Sequence, residues 1–343
     1  MMKKCLIIFC SFFFVASLGA KGVNEENTTQ KYGGEEGKIT AYISGPENML
    51  KELEKTFEEE RGDVLDIVQL GCGPLRQRVW AESETGCINA DVFWGSDPLL
   101  YEALADKGLL EDYKPKGYEN IDDKYKSDKP YVLVSERFGV IIYNKDKVNS
   151  DISSYNDLLD KDYYNQIVHS DPAQSSTALA IIASLWDLED GSGSYYSKLI
   201  ENGLFLAKKN SDVPSKIQEG EFLLGIAPHD AVWRLQKLAI KKGYETPLAI
   251  SWPKEGAIAI QRPVAISKNI NRYEENEVLS QEFVDFLISE KAQNIILNYG
   301  FISVLKDFDL PAGLSQDIVT LNINWEDLAK KQYEINEDFE KLY

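Results

Sequence analysis

Ile39-Thr-Ala-Tyr-Ile-Ser-Gly-Pro-Glu-Asn-Met-Leu50 runs from a short apolar segment through a Ser-Gly-Pro turn into a helix whose apolar face continues at Leu53 and Phe57. Pro46 suits the first helical turn, where a backbone N–H has no intrahelical acceptor. The plan then repeats twice. Val64-Leu-Asp-Ile-Val-Gln-Leu70 leads through Gly71-Cys-Gly73 into a helix over 74–82, and Ala90-Asp-Val-Phe-Trp94 leads through Gly95-Ser-Asp-Pro98 into a helix ending at Lys107-Gly108. Three consecutive strand-turn-helix units predict a parallel α/β sheet, since parallel neighbours are joined only by crossovers.

Further along, residues 111–131 read as a charged loop region, followed by the apolar strand Phe138-Gly-Val-Ile-Ile-Tyr143 and a short helix over 153–159. Ile167-Val-His-Ser-Asp171 is a strand whose end passes through Pro172-Ala-Gln-Ser-Ser-Thr177 into a helix over 178–186. A small helix over 211–219 precedes Phe222-Leu-Leu-Gly-Ile-Ala227, a buried strand that runs into His229-Asp230 and a helix over 231–239. Strands over 247–252, 257–260 and 264–266, a helix pair over 282–300 and an acidic amphipathic helix in the last twenty residues complete the chain.

The 343 residues carry a formal charge of −19, with 43% hydrophobic and 11% aromatic residues, which suffices for packed cores in two domains. No basic patch for nucleic acid or anionic lipid is visible. Met1-Met-Lys-Lys4, the apolar stretch over 6–16 and Leu18-Gly-Ala20 read as a signal peptide over 1–20, cleaved near Ala20. Its removal takes the charge to −21, because Lys3 and Lys4 leave with it. Residues 21–37 are polar and Gly/Glu-rich, a flexible leader. Cys72 and Cys87 then remain as an even pair in an oxidising compartment, either disulfide-bonded or two buried thiols.

At His229-Asp230, two polar side chains stand where a strand turns into a helix, the usual place for a ligand in open α/β folds. Asp230 could equally cap the helix. Ser44-Gly45, Gly71-Cys-Gly73, Ser96 and Ser175-Ser176-Thr177 occupy equivalent junctions and offer hydroxyls or free N–H groups, the means of holding an anion at helix N-termini.

With its elements in this order, the chain resembles the bacterial periplasmic solute-binding proteins of the ferric-iron, 2-aminoethylphosphonate and hexose-phosphate group over about residues 38–320. The resemblance is carried by Thr40-Ala-Tyr-Ile-Ser-Gly-Pro-Glu47, Ala90-Asp-Val-Phe-Trp-Gly-Ser-Asp-Pro98, Leu104-Ala-Asp-Lys-Gly-Leu-Leu110, Tyr143-Asn-Lys-Asp146 and Asp171-Pro-Ala-Gln-Ser-Ser-Thr177. It implies an α/β, two-lobed periplasmic binding protein fold of type II, with a hinge of two crossover strands and the ligand in the interlobe cleft. Lobe one would comprise 38–135 and 262–320, lobe two 136–261 and a C-terminal helix 321–343. The hinge strands would lie near 136–141 and 256–263.

Iron-binding members of that group carry adjacent tyrosines where this chain has His229-Asp230, so the hard phenolate ligands for ferric iron are missing there. Tyr163-Tyr164 and Tyr195-Tyr196 fall in other segments and read as packing or surface residues. The expected phosphate set is Ser44, Gly45, Gly73, Ser96, Arg137, Ser175, Ser176 and Thr177, with Arg76 as a further guanidinium. His229, Asp230 and Glu255 would take sugar hydroxyls and Trp252 would cover an apolar sugar face, a pattern similar to the hexose-phosphate branch. The same three polar residues could instead ligate a divalent metal or serve a hydrolase, but no nucleophile elbow or metalloprotease helix motif is present. The sequence-level expectation is a monomeric periplasmic protein, neither enzyme nor cofactor carrier. It would capture a hexose phosphate, such as glucose 6-phosphate or fructose 6-phosphate, for an ABC transporter permease in the inner membrane, with no nucleic-acid partner; the alternative cargoes are a ferric or divalent metal ion and 2-aminoethylphosphonate.

Overall fold

A computed structural model describes residues 31–189, 191–269, 271–315 and 317–343. The signal peptide and most of the leader lie outside the described residues. Among the described residues no helix is long and apolar enough to cross a membrane.

The elements alternate as the turn chemistry predicts. They are β1 (Ile39–Ile43), α1 (Glu47–Glu58), β2 (Leu65–Gln69), α2 (Cys72–Ser83), β3 (Val92–Trp94), α3 (Pro98–Asp106), β4 (Val132–Asn144), β5 (Ile167–Ser170), α4 (Ser176–Leu185), α5 (Ser194–Glu201), β6 (Phe205–Ala207), α6 (Asp212–Glu219), β7 (Leu224–Pro228), α7 (His229–Lys241), β8 (Leu248–Ser251), β9 (Ile258–Ile266), α8 (Glu274–Leu287), α9 (Glu290–Asn298), β10 (Ile302–Ser303) and α10 (Trp325–Leu342).

The strands form one sheet in the order β2-β1-β3-β9-β4-β7-β5-β6, with β8 and β10 also pairing with β4. At one end β2, β1 and β3 are parallel; at the other β7, β5 and β6 are parallel. Between them β4 and β9 run antiparallel, from Val132↔Val264 to Gly139↔Ile258. Each strand reaches beyond that shared ladder: β9 pairs with β3 through Val264–Ile266, and β4 pairs with β7 through Gly139–Tyr143. These are the two crossover strands that connect the halves of the fold.

Two expectations change here. The segments 257–260 and 264–266, read as separate strands, form one strand over Ile258–Ile266. A register shift between Leu133 and Ser135 on the partner lets the proline stay in the ladder. Residues 31–37 are tied down rather than loose, since Gly34 N–H donates to Asp91 Oδ2 (2.6 Å) and Gly37 N–H to Asn276 Oδ1 (2.9 Å).

The core follows the sheet. One apolar cluster gathers residues from β1, β2, β3, α1 and α3 with α8 and α9, and two others gather β5, β7, α4 and α5 or the outer face of β4 with α6 and α7. The C-terminal helix α10 touches both sides. Its Tyr333 ring meets Trp80 of α2 at 5.7 Å, and its Phe339 ring meets Tyr196 of α5 at 5.5 Å.

Candidate functional site

A cavity of about 680 Å³ opens between the loops that follow β1 and β2 and those that follow β5, β6 and β7, with β4 and β9 at its back. The register explains which crossover residues face it. Ser135 opposes Arg262, so Arg137, two residues along β4, shares a face with Arg262, and both guanidiniums line the cavity. Glu136, Phe138 and Gln261 point the other way, into a separate cavity of about 280 Å³.

Arg262 is fully buried. Its Nη2 donates to Ser44 O (2.7 Å), its Nε to Ser96 Oγ (2.9 Å) and its Nη1 to Ser135 Oγ (3.2 Å), while its plane lies 4.0 Å from the Phe301 ring centroid and 4.5 Å from that of Trp94. Burial, then the nearby Arg137 charge, push it down to about 9, and it stays cationic at neutral pH.

Arg137 Nη2 lies 2.6 Å from Asp230 Oδ1. Arg234, one turn further along α7, pairs with the other carboxylate oxygen. Burial alone would raise the Asp230 carboxyl, but the Arg137 and Arg234 guanidiniums outweigh it and hold it well below the usual carboxylate range. Arg137 Nε is buried without a hydrogen-bond partner among the described residues.

Lys208 and Lys209 complete the charge around the cavity, giving five cationic side chains against the single carboxylate of Asp230. Gly71 and Cys72 bring in the start of α2, which has no side-chain cap and no acidic residue in its first turn. Uncapped N–H groups at a helix start add to the pull on an anion. Gln69, Gln174, Asn210 and Ser211 supply neutral hydrogen-bonding groups.

Of the sequence-predicted phosphate set, Ser44, Gly45, Arg137 and Ser175 line the cavity. Ser96 stands one step behind, accepting from Arg262. Thr177 Oγ1 donates to Ser96 O at 3.1 Å and ties the β3–α3 loop to α4. Ser176 is buried at the start of α4 and does not line the cavity. Gly73 is needed for close approach, because a Cβ there would lie 2.2 Å from Gln174 O. Arg76 is engaged elsewhere, by Asp97 (2.9 Å) and Gln332.

The sugar set is where the structure departs most from expectation. Asp230 lines the cavity, but as the partner of two arginines. His229 is fully buried and does not line it. Phe138 N–H donates to Nδ1 (2.8 Å), so the proton sits on Nε2 and is donated to Gly300 O (2.9 Å). Burial pushes the imidazole down to about 4 and keeps it neutral. Trp252 packs edge-on against Phe138 at 5.7 Å, and Glu255 accepts from Ser154, both away from the cavity. His229, Asp230 and Glu255 therefore do not converge on a metal or a reacting group, and among the described residues no His/Cys/Asp/Glu group could hold a metal ion. His169 is likewise buried, with Nδ1 2.7 Å from Ser170 O.

The expected disulfide is absent: Cys72 and Cys87 are free. Cys72 opens α2 and Cys87 follows its end, so a twelve-residue helix, about 18 Å long, separates them. Cys72 Sγ instead lies 3.0 Å from Ser44 Oγ.

Bacterial extracellular solute-binding proteins match residues 88–331 of this sequence. The chain belongs to that family. This solute-binding protein is 22% identical over 290 residues to a Salmonella typhi periplasmic protein assigned to 2-aminoethylphosphonate binding, covering 80% of this chain and 81% of that one. It is similar in fold to the periplasmic binding protein AfuA of Actinobacillus pleuropneumoniae with fructose 6-phosphate bound (TM-score 0.75, 21% identity, 88% and 97% covered). Iron-bound HitA of Pseudomonas aeruginosa is as similar (TM-score 0.75, 20% identity, 88% and 99% covered). The α/β, type II periplasmic binding protein fold is thus shared with proteins of different cargo.

The residues that sequence reasoning missed are Arg234, Arg262, Lys208 and Lys209. Two left a signal: Arg234 stands four residues after Asp230, and Arg262 interrupts an otherwise apolar strand.

Proposed function

We propose that this solute-binding protein of an ABC importer captures a phosphorylated sugar, such as fructose 6-phosphate or glucose 6-phosphate, and presents it in the periplasm to the permease. The observation that carries the reading is that three guanidiniums, Arg137, Arg234 and Arg262, line the cavity against one carboxylate, Asp230, which pairs with Arg137 and Arg234. After Asp230 is neutralised, the set retains a charge of about two, the charge of a phosphate monoester at neutral pH. Gln69, Gln174 and Asn210 replace His229 and Glu255 as partners for hydroxyls. Lobes comprising 38–135 with 262–320 and 136–261 close on the ligand by bending at β4 and β9, and binding shifts that equilibrium without chemical turnover. The protein acts as a monomer, exported by its N-terminal signal.

2-Aminoethylphosphonate shares the anionic end but brings an ammonium. Among the described lining residues the only carboxylate is Asp230, already paired with Arg137 and Arg234, which favours a hydroxyl-bearing ligand. Among the described lining residues there is no phenol for ferric iron. A thermal-shift panel of glucose 6-phosphate, fructose 6-phosphate, inorganic phosphate, 2-aminoethylphosphonate and ferric citrate tests the reading. The sugar phosphates should give the largest shift; stabilisation by ferric citrate alone, or release of phosphate from glucose 6-phosphate, would overturn it.

A further inference from the structure

We infer that the cleft reads a second anionic group on its ligand and that Lys208 and Lys209 read it; this rests on the phosphorylated-ligand reading above. β6 ends at Ala207, and the turn into α6 carries both lysines along the cavity. The turn is fixed. Asn210 Nδ2 donates to Ser175 Oγ (2.9 Å), its Oδ1 accepts from Ser170 Oγ (2.5 Å), and Lys209 N–H donates to Asp212 Oδ2 (3.2 Å).

Both lysine side chains are exposed, and among the described residues neither ammonium has a carboxylate or hydrogen-bond partner, in a chain whose formal charge is −19. Elsewhere the acidic excess makes pairing easy, as at Lys38–Asp63, Lys107–Glu84 and Lys216–Glu221. Among the described residues the adjacent Lys241 and Lys242 are also exposed and unpaired, so what sets Lys208 and Lys209 apart is their place in the cavity lining.

Charge balance carries the argument further. A monoester balances Arg137, Arg234 and Arg262 once Asp230 is counted, and leaves Lys208 and Lys209 uncompensated. The two cationic groups also belong to different elements. The arginines come from β4, α7 and β9 and line the wall of the cavity on which the first anion would dock. The lysines come from the β6–α6 turn, so a ligand that engages both sets carries two separated anions. The class is a phosphorylated sugar bearing a second phosphate or a carboxylate.

Calorimetric titration of the wild-type protein and of a Lys208→Gln/Lys209→Gln variant with fructose 6-phosphate, fructose 1,6-bisphosphate and 6-phosphogluconate, at one ionic strength, tests this. The wild type should bind at least one of the two doubly anionic sugars about fivefold or more tighter than fructose 6-phosphate. The double variant should lose most of that advantage. Preference between the bisphosphate and the sugar acid identifies the second group. Equal binding of all three sugars by the wild type, or an advantage that the double variant keeps, overturns the inference while the sugar-phosphate reading stands; binding of none of them overturns both.

Discussion

Arg137 Nη2 and Asp230 Oδ1, 2.6 Å apart, join the crossover strand β4 to the first turn of α7 at the wall of the cleft. The pair fixes a guanidinium that lines the cavity, and Asp230 serves as the counter-charge of two arginines.

Replacing Asp230 by asparagine leaves two guanidiniums without their carboxylate. Breaking a buried pair from one side costs about 3 kcal/mol or more, so Asp230→Asn should lower the unfolding free energy by that order. A bound sugar phosphate should restore part of the loss by supplying the missing negative charge. Urea denaturation with and without fructose 6-phosphate measures both effects; a variant as stable as wild type would remove Asp230 from this role.

Two buried groups give opposite pH dependences. Burial pushes Glu136 up to about 7, against the hydrogen bond from Tyr125, so the folded chain holds a proton that the unfolded chain loses above about 4.5. Its stabilising share is present below about pH 4.5 and is lost as pH rises through 7. Between pH 4 and 8 the Glu136→Gln variant should gain about 3 kcal/mol on the wild type. His229, pushed down to about 4 by burial, works the other way. Below about pH 6.5 the unfolded chain takes up a proton that the folded chain does not, so stability falls as pH drops towards 4. Against wild type, His229→Gln should therefore lose ground as pH rises over that range. Guanidinium unfolding at several pH values separates the two, and parallel pH profiles for wild type and both variants would contradict the account.

Gly73 sits where α2 meets the loop before α4, with room for no Cβ. Gly73→Ala should hold those loops apart, weaken sugar-phosphate binding by tenfold or more, and increase the radius of gyration measured with ligand by X-ray scattering. Unchanged affinity and radius would show that this approach is not part of the bound state.

Much of this was legible in the sequence, for identifiable reasons. The strand-turn-helix units stand out because apolar runs such as Ile39–Ile43 are punctuated by Gly and Pro, and the crossover hinge followed from the family resemblance. Ser44, Gly45 and Ser175 line the cavity with Arg137 of β4, because loops after parallel strands converge on one edge. His229 misled because a polar residue at a strand end can serve the backbone as well as a ligand. Here both ring nitrogens are taken by Phe138 and Gly300, distant in sequence. Glu255 and Trp252 followed His229 into the wrong site. Arg262 fell in the gap between two segments read as separate strands, and Cys72 and Cys87 invited a bridge that α2 holds apart.

The central claim is that Arg137 and its neighbours hold the phosphate of a sugar phosphate. Isothermal titration of fructose 6-phosphate into wild-type protein and into Arg137→Gln tests it most directly. Wild-type protein should bind, and the variant, having lost a charge-assisted contact, should bind about thirtyfold or more weakly. Absence of binding by the wild type, or equal affinity in the variant, would contradict the account.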